Sequence, residues 1–360
     1  MRTTDNHSSH NNSIPPQAGP SLATEPAVKR LNHSVWWPIL AGASAGLLLR
    51  FVFNKPSGHR FSAMLGSFIY GAPLLSAVIS SWLIGPQRRA QLLTCMLVGG
   101  VSASWVVLGA LMVLIEGWIC ALVIFPFFFI VGTLAGFVMW AVYRVLDQLV
   151  ARRAVYSFAA LPLILGAVET QLAPPPHEYH QTVQTIFIRA RPEVVWQNLL
   201  QTPPMNARLF ESSYAAWLGV PPPLAANTVQ NARGQWVRHM QWGKGVHFYG
   251  DVTAWRTGEE LAWNYRFDSD SFPAGALDDH VTLTGEHFAL MNGRYTLAAA
   301  DGGTVLTETT HWRISTQFNG YARFLGKLLI ADTVSHLVSV IKTRSEYDEH
   351  GKGSAPRAAL

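Results

Sequence analysis

A small set of polar side chains in this sequence is placed where it could do chemistry. Glu308 lies in GGTVLTETTHWRIST, where period two puts Leu306, Glu308, Thr310, Trp312 and Ile314 on one face of a strand. Val305, Thr307, Thr309, His311 and Arg313 take the other face. Arg238 shares a face with Trp236, Met240 and Trp242 in the same way. If both faces turn inward, an Arg238–Glu308 pair orients the head group of a ligand, because an unpaired buried charge is too costly to persist. Asp279 and His280 adjoin in ALDDHV and are the candidate general acid and base. Neighbours in a strand point to opposite sides, so Asp279 does not orient His280 there, and a solvated or capping role is the simpler reading of each. His247, His287 and His311 lack ligand spacing such as HExxH, so no metal is expected. Asp332, His336, Ser339 and Thr343 recur at steps of four, three and four, which describes the solvent face of a helix. There is no nucleophile elbow, phosphate-binding glycine loop or dinucleotide fingerprint, and no cofactor is expected.

The elements that must hold these residues follow from periodicity and turn chemistry. Thr182–Ala190 alternates as a strand, and Pro192 opens a helix in PEVVWQNLL. A second helical stretch runs over Met205–Leu218, closed by Gly219 and Pro221–Pro223. Six strands are expected at Gln235–Trp242, Val246–Arg256, Leu261–Phe267, Val281–Met291, Arg294–Ala300 and Thr304–Ser315. Asn292-Gly293 and Asp301–Gly303 are hairpin signals, since these residues accept φ > 0. A helix of about 30 residues closes the chain, with Phe324, Leu328, Ala331, Val334, Val338 and Ile341 in one apolar stripe. Consecutive hairpins make an antiparallel sheet whose apolar face that helix must cover. Phe248, Trp263, Tyr265, Tyr295 and Trp312 then join Leu328 in an aromatic interior.

The first half has a different composition. Only 14% of the 360 residues are charged, against roughly 25% in an average soluble domain. Before residue 175 there are eleven Lys/Arg and five Asp/Glu; from there on, sixteen and seventeen. The basic excess therefore punctuates apolar runs and does not argue for nucleic acid. Residues 1–33 read as a disordered tail, and 350–360 as a flexible one. Val35–Phe53, Phe61–Ile84, Leu92–Ile115, Trp118–Leu146 and Ala154–Leu172 each approach or exceed the ~20 residues that cross a bilayer. Gly42/Gly46 and Gly132/Gly136 stand four apart, a spacing that lets helix backbones approach. Glu116 and Glu169 fall at segment ends, as interfacial carboxylates do. Cys95 and Cys120 lie in apolar runs and build neither a disulfide framework nor a zinc site. With five spans, seven Lys/Arg flank one side of the membrane and three the other. The N-terminus is then cytoplasmic and the C-terminal half extracytoplasmic. Residues 173–181 form a proline-stiffened linker between a multi-span region over 34–172 and a soluble domain over 182–349.

The order strand, two helices, six strands, long helix resembles the helix-grip fold of the SRPBCC superfamily, which includes START-like and polyketide cyclase/dehydrase-type domains. The resemblance rests on TIFIRARPEVVWQNL, GVHFYGDVTAWRTGEELAWNY and GGTVLTETTHWRIST with the closing helix, and covers about residues 180–349. The first half is similar to the hydrophobic region ahead of such domains in some bacterial proteins, which places the chain in a cytoplasmic (inner) membrane. The fold class implied is an all-α transmembrane bundle followed by an α+β helix-grip domain. Members bind sterols, lipids, polyketides or other hydrophobic molecules between helix and sheet, so Trp236, Arg238, Phe248, Trp263, Tyr265, Tyr295, Glu308, Trp312 and Leu328 are the expected ligand-binding residues. A minority are cyclases, dehydratases or hydrolases, and a ligand-free sensor or assembly module is the third reading. Fold alone does not choose between them.

Overall fold

The computed structural model describes residues 27–55, 60–145, 148–171, 175–277, 283 and 285–351. The first half is helical: α1 (Ala27–Val52), α2 (Gly66–Ile69), α3 (Gly71–Leu83), α4 (Pro86–Arg89), α5 (Leu92–Met112), α6 (Trp118–Val145) and α7 (Gln148–Val168). Of the tail expected over 1–33, residues 1–26 lie outside the described residues, and α1 already begins at Ala27. Five helical stretches among the described residues are long and apolar enough to cross a membrane: Val35–Val52, Gly66–Leu83, Leu92–Met112, Trp118–Val145 and Asn319–His350. The last is the C-terminal helix, which packs on the sheet; α7, expected as a span, is not among them.

Glycine spacing does in this bundle what it does in membrane helices generally. A Cβ on Gly42 would stand 2.3 Å from the Ser76 carbonyl, and one on Gly136 would stand 2.3 Å from that of Cys95. Both acidic residues at segment ends have structural partners. Glu116 accepts from Arg50 Nε at 2.7 Å, and Arg50 also donates to Phe53 O and Asn54 Oδ1. Glu169 accepts the Gly66 and Ser67 amides at 2.7 and 2.8 Å, satisfying the free N–H groups that open α2.

The second half is a curled antiparallel sheet of eight strands in the order β1-β8-β7-β6-β5-β4-β3-β2. These are β1 (Glu178–Ile188), β2 (Gln201–Thr202), β3 (Pro223–Gln230), β4 (Trp236–Trp242), β5 (His247–Arg256), β6 (Glu260–Arg266), β7 (Phe288–Ala300) and β8 (Gly303–Ile314). Helices α8 (Pro192–Leu200) and α9 (Tyr214–Trp217) interrupt the early strands, and α10 (Asn319–His350) grips the sheet. Every second residue of β8 from Thr304 to Ile314 is buried, as period two requires.

Four expectations change. The linker shortens, because β1 starts at Glu178 to pair with Ile314 of β8. Met205–Leu218 yields only a 3₁₀ turn and the four-residue α9. β3 was hidden behind a proline run, yet Pro223 sits at its first position, where a strand tolerates proline. Asn292-Gly293 is not a turn: β7 runs through it, with a register shift at Met291, and among the described residues of the expected strand 281–291 the strand begins at Phe288. The glycine is needed for another reason. A Cβ on Gly293 would meet the Trp263 indole at 2.4 Å, and one on Gly250, on the other flanking strand, would meet it at 2.6 Å. The two glycines form a slot for that ring.

Candidate ligand cavity

Between α10 and the sheet lies a cavity of about 280 Å³. Its walls are almost wholly apolar: Met240, Trp242, Phe248, Trp263, Tyr265 and Tyr295 from the sheet, and Leu325, Leu329, Ile330, Val334 and Leu337 from the helix. The volume lies at the lower edge of the ~300–1,000 Å³ of small-molecule sites. The helical first half adds Met64, Ile119 and Val123 to the wall.

The sheet register brings three rows of side chains together at the polar end. Arg238, Gly250 and Tyr265 are in register across β4–β6; Trp263, Gly293 and Thr310 across β6–β8; Leu261, Tyr295 and Glu308 across the same strands one step on. Arg238 is buried, donates from Nη1 to Leu199 O at 2.6 Å and to Thr228 Oγ1 at 3.0 Å, and lies over the Trp263 and Tyr295 rings at 5.4 and 5.6 Å. Glu308 is 3% exposed; its Oε1 accepts from Thr310 Oγ1 at 2.5 Å, while Oε2 has no hydrogen-bond partner. The two do not form an ion pair, so the expected Arg238–Glu308 bridge is replaced by separate partners.

The electrostatics follow from that separation. Burial pushes the Glu308 carboxyl up to about 8, only partly opposed by the hydrogen bond from Thr310. At neutral pH it is therefore mostly a neutral acid with one O–H to donate and a free lone pair. Burial also pushes Tyr295 up to about 12, with Arg238 pulling the other way, and raises Tyr265, with Glu308 acting in the same direction as burial. What the cavity offers is one fixed cation, screened by rings, and an uncharged carboxyl facing an apolar space.

Of the nine expected ligand-binding residues, Arg238, Phe248, Trp263, Tyr265, Tyr295 and Glu308 line this cavity. Three do not. Trp236 stacks on Trp255 at 4.4 Å, and Trp255 meets Trp196 of α8 edge-on, so it belongs to the packing under α8. Trp312 faces inward but lies beneath Gly326 of α10, where a Cβ would touch its ring at 3.0 Å, and it donates to Thr182 Oγ1. Leu328 is 40% exposed and Phe324 63%. The expected stripe divides: Val334, Val338 and Ile341 are buried in the core, whereas in the first half of α10 the cavity is lined by Ala322, Leu325, Leu329 and Ile330 in place of Phe324 and Leu328. The first half of α10 is apolar on two faces, which is why periodicity chose the wrong one.

Asp279 and His280 lie outside the described residues. Among the described residues no group of His, Cys, Asp and Glu could hold a metal. The Asp332–Thr343 series divides: Asp332 accepts from Ser213 Oγ and the Ala215 amide, and Ser212 Oγ bonds His336 Nε2, so the first two hold α9, while Ser339 and Thr343 donate back to their own helix. Sequence reasoning missed Met64, Ile119 and Val123, which carry no signal beyond hydrophobicity.

A curled antiparallel sheet closed over an apolar cavity by one long helix is a helix-grip fold, the fold of the SRPBCC and START-like domains. No family profile matches the chain, and no curated protein matches it in sequence. Solved structures that it is similar to include the aromatase/cyclase ZhuI from Streptomyces sp. R1128, at 12% identity, covering 49% of this chain and 100% of that one, with a TM-score of 0.30. A START superfamily protein from Mycobacterium smegmatis matches at 13% identity over 46% of this chain and 97% of its own, TM-score 0.29. The di-domain aromatase/cyclase StfQ of the steffimycin pathway matches at 12% over 56% of this chain and 62% of its own, less than two thirds of its length, TM-score 0.30.

Proposed function

We propose that this protein binds one compact hydrophobic molecule with a hydrogen-bonding head group in the α10 cavity, and that its N-terminal helices hold that cavity against a bilayer. One observation carries the reading: a buried carboxyl with an unpartnered oxygen at the end of an apolar void. An orphaned buried polar atom costs about 1–3 kcal/mol, so its persistence argues for a partner that arrives from outside. Two acyl chains of a phospholipid need far more than this volume, which favours a single-chain or small polycyclic ligand. The head group suited to a neutral carboxyl beside a fixed guanidinium is a carbonyl or hydroxyl.

A second reading has its own support. A carboxyl poised at about 8 in a dry site is a competent general acid, so a cyclase or dehydratase acting on the same class of ligand would use Glu308, with Arg238 fixed nearby. Both readings begin with uptake. The full chain purified in mild detergent, analysed by native mass spectrometry and organic extraction, is expected to carry or take up a hydrophobic molecule at one per chain. An empty protein that takes up none from a panel of fatty alcohols, sterols and aromatic polyketides overturns both; turnover of the bound molecule, lost in Glu308→Gln, selects the enzymatic one. We place the chain in a bacterial cytoplasmic membrane with five passes, counting α7, the N-terminus inside and the sheet domain outside; a C-terminal GFP fusion that fluoresces sinks that orientation.

A further inference from the structure

Tyr321 sits in the first turn of α10, its hydroxyl donating to Val123 O of α6 at 2.6 Å and its ring 5.3 Å from Phe127. Phe324 and Leu328 follow at steps of three and four, so they continue the face by which α10 touches a membrane-length helix. Beyond that contact the face is bare, Phe324 being 63% and Leu328 40% exposed. Arg323 and Lys327 stand beside them, exposed and without an ion-pair partner among the described residues. Rings and aliphatic groups alternating with cations are the composition of a helix lying in the headgroup layer. A second element ends at the same level. Trp217 of α9 is 70% exposed, two residues before Gly219, whose added Cβ would lie 3.4 Å from Ile119 at the start of α6.

The adjoining face of the same turns, Ala322, Leu325 and Leu329, lines the cavity together with Met64, Ile119 and Val123. One rim of the cavity is therefore α10 and the other is the chain's own membrane half. We propose that this rim is a mouth opening at the headgroup level of the phospholipid bilayer that holds the helices, and that the ligand enters by lateral diffusion from the lipid without crossing water. This rests on the cavity reading above. It assigns Phe324, Leu328, Arg323 and Lys327 to the lipid surface and Leu325 and Leu329 to the passage. Every methylene kept out of water along such a route lowers the barrier to entry, and the ligand class becomes one that partitions into membranes.

The test uses the full chain in vesicles of phosphatidylcholine and phosphatidylglycerol. A bimane on Phe324→Cys, with the unsubstituted chain as blank, is expected to be quenched by shallow doxyl-lipid and little by aqueous iodide; the reverse overturns the surface assignment. Uptake is read with a diazirine-bearing decyl alcohol, photolysed and mapped by mass spectrometry. Dissolved in the vesicles, it should label cavity peptides at least fivefold less in Phe324→Asp/Leu328→Asp than in the parent. Supplied in detergent micelles, it should label both equally, which also shows that the double variant folds. Equal labelling from vesicles overturns the route and leaves the cavity reading intact. Absence of cavity labelling from either source overturns the cavity reading and the route with it.

Discussion

The arginine–glutamate set of the helical half and that of the sheet half, Arg50 with Glu116 and Arg238 with Glu308, are built differently. In the helical half, Arg50 and Glu116 touch at 2.7 Å, and the Nη1 hydrogens of Arg50 go to Phe53 O and Asn54 Oδ1. In the sheet half, Arg238 spends itself on Leu199 O and Thr228, and Glu308 on Thr310, leaving one carboxyl oxygen bare. The first set is complete without a ligand, so it holds helices together. The second is incomplete and faces a void, the place that the proposed function gives to a ligand. Pairing, more than burial, separates a structural charge from a functional one.

The comparison breaks most visibly at the closed set. Glu116→Ala should destabilise the detergent-solubilised chain by about 3–5 kcal/mol, because it strands a buried guanidinium; a midpoint shift below ~1 kcal/mol in denaturant titration would make the two sets alike. Gly293→Ala should cost about 1–3 kcal/mol by driving a methyl into the Trp263 ring, and should abolish ligand uptake as the ring moves into the cavity. Glu308→Gln works in the other direction. The carboxyl titrates near 4.5 in the unfolded chain and about 8 in the fold, so the folded state holds the extra proton between those values. Stability of the parent should therefore fall as pH rises from about 4.5 to about 8, and the glutamine variant should lack that slope and be more stable at pH 9 by on the order of 2 kcal/mol. A parallel pH profile for the two proteins refutes the neutral-acid assignment. Glu308→Ala should weaken a decanol-type ligand about tenfold while leaving the matching alkane unchanged, read by displacement of a fluorescent probe. Smallest of all, Leu328→Ser should alter folding stability by less than ~0.5 kcal/mol, as an exposed site does.

Much of the sheet was legible because its burial is one-sided. The β8 face from Leu306 to Ile314 follows strict alternation; in β6 Leu261 and Trp263 are buried as expected, but Glu260 and Ala262 between and before them are buried as well. Those two faces carry Trp263, Tyr265 and Glu308, three of the six expected residues that line the cavity. Trp236 and Trp312 share the inward faces yet lie under α8 and α10, and alternation fixes a side of the sheet but not a position along it. Leu328 failed for the opposite reason: the first half of α10 carries apolar residues on two adjoining faces, so periodicity alone does not select the one that meets the sheet. Asn292-Gly293 looked like a turn because glycine serves both positive φ and close approach, and here the Trp263 indole required the second. The membrane-side wall was invisible, since Ile119 and Val123 differ in nothing from other residues of α6 until α10 is laid against them.

The start of β1 and the end of β8 are neighbours, Glu178 opposite Ile314, and the chain on either side is stitched together. Asn319 donates to Pro176 O and Glu178 Oε1, and Ser315 to Pro175 O. The strand that leaves the helical half and the helix that returns to it thus depart from one point, with Tyr70 and Tyr321 bolting the return. A globule on a single leash tumbles through all orientations; one fixed at two adjacent fastenings has lost its swivel. The sheet domain is held at a set angle to the helical half, and its cavity keeps one heading toward those helices.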